Sequence, residues 1–125
     1  MTDVELLLKQ IIGAGSPLPT DAGARVYPVR APQGVDAPYI VYQRISSVPA
    51  ASLGVAAGPD LVRVQIDVWA PTYAEAKTIA GQVRAAMDAA TESAVLKSRF
   101  DNGFDDFEIE LGLYRASADY MCWQK

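Results

Sequence analysis

A chain of 125 residues, 50% apolar and 21% charged, is long enough to bury one core without staples and is expected to form one domain over 1–125. The net charge of −4 and the lack of any three-residue basic run exclude a protein built to grip nucleic acid, because that task needs clustered Lys and Arg to displace phosphate counterions. One cysteine and no histidine exclude an intrachain disulfide framework and leave zinc and the softer metals without ligands.

Met1-Thr2-Asp3-Val4-Glu5 puts acids where a secretory signal needs bases, and no apolar run reaches bilayer length. The expectation is a protein made and kept in the cytoplasm. Thr2 and Glu5 have capping-box spacing, and Val4, Leu7, Leu8, Ile11 and Ile12 recur at the helical period. A helix is therefore predicted from about Asp3 to Ile12, stopped by Gly13, Gly15 and Pro17. From Ala14 to Pro38 only Arg25-Val26-Tyr27-Pro28-Val29 reads as extended, and Pro28 suggests an edge strand.

Tyr39 to Ser47 reads as a strand rich in β-branched and aromatic residues. Its start is apolar on both sides, which predicts cover on both faces. Val48 to Asp60 is a long connection of small residues, the kind that tends to be functional or mobile. Leu61 to Trp69 alternates cleanly, with Val62, Val64, Ile66 and Val68 against Arg63, Gln65 and Asp67. One face belongs to a core; the other meets solvent or a neighbouring subunit.

Pro71 ends that strand, and Thr72 with Glu75 repeats the capping spacing. The helix predicted from Thr72 to about Ala89 carries Ala76, Ile79, Ala80, Val83 and Met87 on one face. Beyond it, Ala94 to Phe100 reads as a strand, Asn102-Gly103 as a turn, Phe107 to Leu111 as a short strand and Leu113 to Trp123 as the last strand. Gly112 permits a bend or bulge. The predicted class is α+β: an antiparallel or mixed β-sheet with two helices packed on one face.

A search for chemistry finds little. Asp101, Asp105, Asp106, Glu108 and Glu110 cluster, but the order Asp101-Asn102-Gly103-Phe104-Asp105 is not a calcium loop, and a solvated acidic hairpin is the simpler reading. Serines have no histidine base and no nucleophile elbow. The glycine pairs Gly13/Gly15 and Gly54/Gly58 lead into no phosphate loop. Cys122 reads as a buried strand residue. Neither a cofactor nor a metal is predicted, and no catalytic residue. Arg30, Arg44, Arg63 and Arg115 are either exposed charge or partners for acids on another subunit.

Three segments together are more specific than composition. Pro38-Tyr39-Ile40-Val41-Tyr42-Gln43-Arg44-Ile45-Ser46 is followed by Leu61-Val62-Arg63-Val64-Gln65-Ile66-Asp67-Val68-Trp69-Ala70, and then by Gly112-Leu113-Tyr114-Arg115-Ala116-Ser117-Ala118-Asp119-Tyr120. With Arg25-Val26-Tyr27-Pro28 upstream and Thr72-Tyr73-Ala74-Glu75-Ala76 opening the helix, the chain resembles the tail completion (tail terminator) proteins of tailed phages and prophages. The resemblance implies a virion structural protein that caps the tail tube as a six-membered ring and joins it to the head. Its implied partners are itself as a homo-hexamer, the tail tube protein and the head connector or neck protein. It implies no membrane and no specific nucleic-acid binding, with DNA passing through the ring. The location would be the virion, and the host cytoplasm during assembly. Arg44, Ser52, Leu53, Gly54, Arg63, Gln65, Asp67 and Arg115 are the candidate residues for subunit or tail-tube contacts. A head-closure or neck protein of the connector, or an unrelated small ligand-binding domain, are the alternatives.

Overall fold

The computed structural model describes residues 26–31, 33–34, 37–48, 61–92 and 96–124. In chain order these give β1 (Val26–Pro28), β2 (Tyr39–Val48), β3 (Leu61–Ala70), α1 (Tyr73–Glu92), β4 (Leu96–Glu108) and β5 (Leu113–Gln124). The strands form a five-stranded sheet in the order β1-β2-β3-β5-β4. β1 runs parallel to β2, and every other neighbouring pair is antiparallel, so the sheet is mixed. One helix is described. The helix predicted from Asp3 to Ile12 lies outside the described residues, as does the connection from residue 49 to 60.

The alternation of β3 sets the core. Val62, Val64, Ile66, Val68 and Ala70 are buried on the face that α1 covers. Thr72 starts α1 as its sequence predicts: its Oγ1 accepts the Glu75 backbone N–H at 3.2 Å. Ala76, Ile79, Val83 and Met87 then fall on one stripe, and all four are buried against the sheet. Burying each of the larger three is worth about 1.5–3 kcal/mol. From β5 come Ala116, Tyr120 and Cys122, with Phe100 of β4 meeting Tyr120 edge-on at 5.6 Å between ring centres.

β2 opens with four buried residues, Tyr39 to Tyr42. Tyr39 and Val41 pair with Trp69 and Asp67 on the face away from α1, and Tyr39 stacks on Trp69. The expectation of cover on both faces therefore matches the burial. At the sheet's far edge, β1 ends in a tight turn. Val29 has φ 67° and the Arg30 N–H donates to the Pro28 carbonyl at 2.7 Å. That is a γ-turn in the strained sense, unusual for a β-branched residue.

The C-terminal third corrects the sequence reading. Asn102-Gly103 is not a turn, and Ala94–Phe100 and Phe107–Leu111 are not separate strands. One strand, β4, runs from Leu96 through the Asn-Gly pair to Glu108 and pairs with β5, with a register shift between Phe100 and Asn102; residues 94 and 95 lie outside the described residues. The physical reason is a bulge at Asp101, which absorbs the irregularity that an Asn-Gly pair signals. Gly103 is needed there for another reason: a Cβ would stand 3.1 Å from the Phe100 ring and 3.3 Å from the Ser117 carbonyl. The true reversal is Ile109 to Gly112, where Gly112 has φ 67° and donates its N–H to the Glu108 carbonyl at 2.8 Å. Hairpin connectivity fails once more in the middle of the sheet. β5 inserts between β3 and β4, which therefore run in the same direction with α1 crossing between them.

Candidate functional site

β3 flanks β5 as far as the Ala70–Tyr114 pair, so beyond it only the Glu108–Leu113 pair and the turn Ile109 to Gly112 extend without a neighbour among the described residues, and β4 forms the edge of the sheet. Every residue from 101 to 112 is exposed. Residues 101–108 are the exposed edge strand of the sheet, tied to their neighbours by side chains as well as by the ladder.

Those side chains act on both faces. Facing α1, Tyr114 takes Phe107 at 4.7 Å and Tyr73 edge-on at 6.1 Å between ring centres. The Tyr73 hydroxyl donates to Asp105 Oδ2 at 3.0 Å, and Lys77 Nζ reaches the same oxygen at 3.3 Å. On the opposite face Arg115 lies across the strands. Its Nε donates to Asp106 Oδ1 at 3.0 Å, and Nη2 closes a second bond to the same carboxylate. Its Nη1 stands 3.9 Å from Asp67 Oδ2, and the guanidinium lies over the Trp69 and Phe104 rings at 5.4 and 5.3 Å. The hydrogen bond to Asp106 is the largest influence holding the Arg115 pKa above its ordinary value.

This places the residues expected to touch a neighbour. Arg63, Gln65, Asp67 and Arg115 share the face away from α1. Arg63 donates to Asp101 at 2.9 Å and lies 3.8 Å from Asp119. Gln65 Nε2 donates to both Asp67 oxygens at 3.1 Å. Asp67 is buried, held by Gln65 and Arg115. Within the protomer, Arg63 and Arg115 already have acids of their own chain. Arg44 is exposed on the other face of β2, in register with Val64, and is not part of this group. Ser52, Leu53 and Gly54 lie outside the described residues.

The acidic cluster is not simply solvated. Asp101, Asp105 and Asp106 each bond a cation from another element, Arg63, Lys77 and Arg115. No local signal in the sequence announces these pairs, since they join residues as far as 38 positions apart.

Sequence reasoning also missed two surfaces. The hairpin tip presents Ile109 and Leu111, 82% and 56% exposed. Between α1 and β4 runs a groove of about 520 Å³, floored by Ala116 and Ala118 and walled by Ala80, Gly81 and Phe100. Arg84 lies over the Phe100 ring at 4.2 Å at one part of its rim, and the Lys77–Asp105 pair forms another.

The chemistry of the described residues is sparse. None of them form a group of three His, Cys, Asp or Glu able to hold a metal ion. Burial pushes the Cys122 thiol up to about 12 and raises the Tyr120 phenol as well, so both stay protonated at neutral pH. No helix among the described residues is long and apolar enough to cross a membrane.

The described chain is a mixed sheet covered by a helix, with the β4–β5 turn standing at one end. The family model described as Tail completion protein gp17 matches residues 15–125. The chain belongs to that family and is a structural protein of the phage tail or neck. No curated protein matches it. Among solved structures it is similar to a chain from the virion of a native gene transfer agent particle, with a TM-score of 0.71 at 17% identity. That match covers 93% of this chain and 90% of the other, and at such identity it speaks for the fold alone.

Proposed function

We propose that the protein terminates the phage tail tube: it caps the finished tube as a homo-hexameric ring and joins it to the head connector. The carrying observation is membership of the tail completion family over residues 15–125. A ring needs heterologous contacts, in which one patch meets a different patch on the next copy. The β4–β5 turn and the groove beside α1 are two such unlike patches. A net charge of −4 also suits a ring through which DNA passes without being held, because like charges repel. On this reading 1–125 acts as one domain, assembled in the host cytoplasm and carried in the virion.

The test is genetic and visual. Deleting the gene from the phage or prophage that carries it should give tails of uncontrolled, excessive length in electron micrographs. Tails of normal length beside heads that lose their DNA would reject termination and make the protein a head-closure component instead.

A further inference from the structure

We propose that the tip of the β4–β5 hairpin of one copy seats in the α1–β4 groove of the next, and that this is the contact that propagates the ring. The proposal rests on the terminator reading and names the partner of its surface: a second copy of this chain.

The tip is stiff and apolar, and nothing in the described fold uses it. Ile109 and Leu111 stand in water at 82% and 56% exposure, in a turn that begins one residue pair beyond the Tyr114 ring cluster and two beyond the Arg115–Asp106 fork. Exposed apolar groups on an otherwise well-packed domain mark an interaction surface. A braced tip loses little conformational freedom on docking.

The groove is its complement in shape and charge. Its floor and one wall are alanine and glycine, which leaves about 520 Å³ open to incoming side chains. A Cβ built on Gly81 meets nothing within 4 Å. At its rim Arg84 lies over Phe100 and bonds no carboxylate among the described residues. Glu110, between the two apolar tip residues, forms no ion pair with a described cation. A tip with two apolar side chains and two acids, Glu108 and Glu110, without a described cation therefore matches a mainly apolar slot where Arg84 has no carboxylate and Lys77, Asp101 and Asp105 are already paired within the chain. The two patches differ, so the contact is head-to-tail and closes a ring or extends a filament.

Sedimentation of the full chain over a wide concentration range tests this. The wild type should self-associate. A tip variant, Ile109→Glu with Leu111→Glu, and a groove variant, Gly81→Trp, should each weaken association at least about 30-fold, as loss of a central anchor does. Both changes fall on open surface, and cooperative unfolding curves no weaker than that of the wild type will verify the fold. Mixed together, the two variants should form a 1:1 heterodimer and nothing larger, because one good tip still meets one good groove. A wild type that stays monomeric at every concentration overturns the proposal. So does a mixture that fails to pair, or a tip variant that still self-associates but no longer binds tail tubes, which would assign the tip to the tube. Overlong tails on deletion, combined with any of these results, would sink this contact and leave the terminator reading standing.

Discussion

The body of the molecule and its hairpin are made from the same two strands and held by different forces. At their inner ends β4 and β5 contribute Phe100, Tyr120 and Cys122 to or against a core of aliphatic side chains. At the outer end β5 still buries Ala116 and Ser117, whereas β4 and the turn carry no buried residue from 101 to 112 and rely on ion pairs, a stacked cation and a knot of aromatic rings. Apolar burial is worth several kcal/mol per side chain and responds little to salt, whereas exposed ion pairs give about 1 kcal/mol or less and are screened. Stability thus resides in the body, and the hairpin is free to be shaped by what it must touch.

The largest expected effect separates the two regions by pH. Cys122 and Tyr120, both in the body, have folded-state pKa values raised by burial. A raised pKa means that their contribution is complete below the unfolded value and is lost as pH climbs towards the folded one. For Cys122 that window runs from 9.0 to about 12. Stability measured in urea should therefore fall above pH 9, by up to about 1.4 kcal/mol per pH unit from the thiol alone. A flat profile to pH 11 would mean that the thiol is not buried as described.

Next comes truncation of the core. Ile66→Ala, at a position 1% exposed in a central strand, should cost about 3 kcal/mol in chemical denaturation. Arg115→Ala should cost less, roughly 1–2 kcal/mol, because the arginine is partly exposed while the Asp67 it leaves behind is buried. Its more telling result is local: amide exchange in Phe104–Glu108 should quicken while that of Val64–Val68 holds. Equal quickening in both segments would show that body and hairpin unfold as one unit.

The smallest effect has the opposite sign. Gly81 is exposed in mid-helix with open space where a Cβ would go. Gly81→Ala should raise stability by up to about 1 kcal/mol, read as a shift in the denaturation midpoint. A loss would mean that the groove at that point is closer than it stands here.

The same division marks what could be read from residues alone. β2, β3 and α1 obey local rules: the period-two run Leu61–Trp69, the Thr72 cap and the Ala76–Ile79–Val83–Met87 stripe each name an element and its buried face. The hairpin does not. Asn102-Gly103 is a turn signal spent on a bulge, and only the length of β5 opposite it shows that the strand continues. The pairing of Arg63 with Asp101 depends on β5 lying between β3 and β4, which no local pattern encodes. Of the candidate interface, Arg63, Gln65 and Asp67 share one face by alternation alone, whereas the place of Arg115 beside them and the partners of all four are legible only in three dimensions. The groove and the tip escaped notice because small residues in a wall and apolar residues at a turn resemble ordinary packing until their exposure is known.

The insertion of β5 between β3 and β4 has a temporal consequence. Β3, α1 and β4 leave the ribosome before the strand that unites them, so translation delivers the middle of the sheet after its flanks. The β4–β5 turn, which the Glu108–Leu113 pair closes, cannot form until that late strand has docked. On the proposed tip-and-groove contact, a half-made chain has no finger to offer, so self-association would wait for β5.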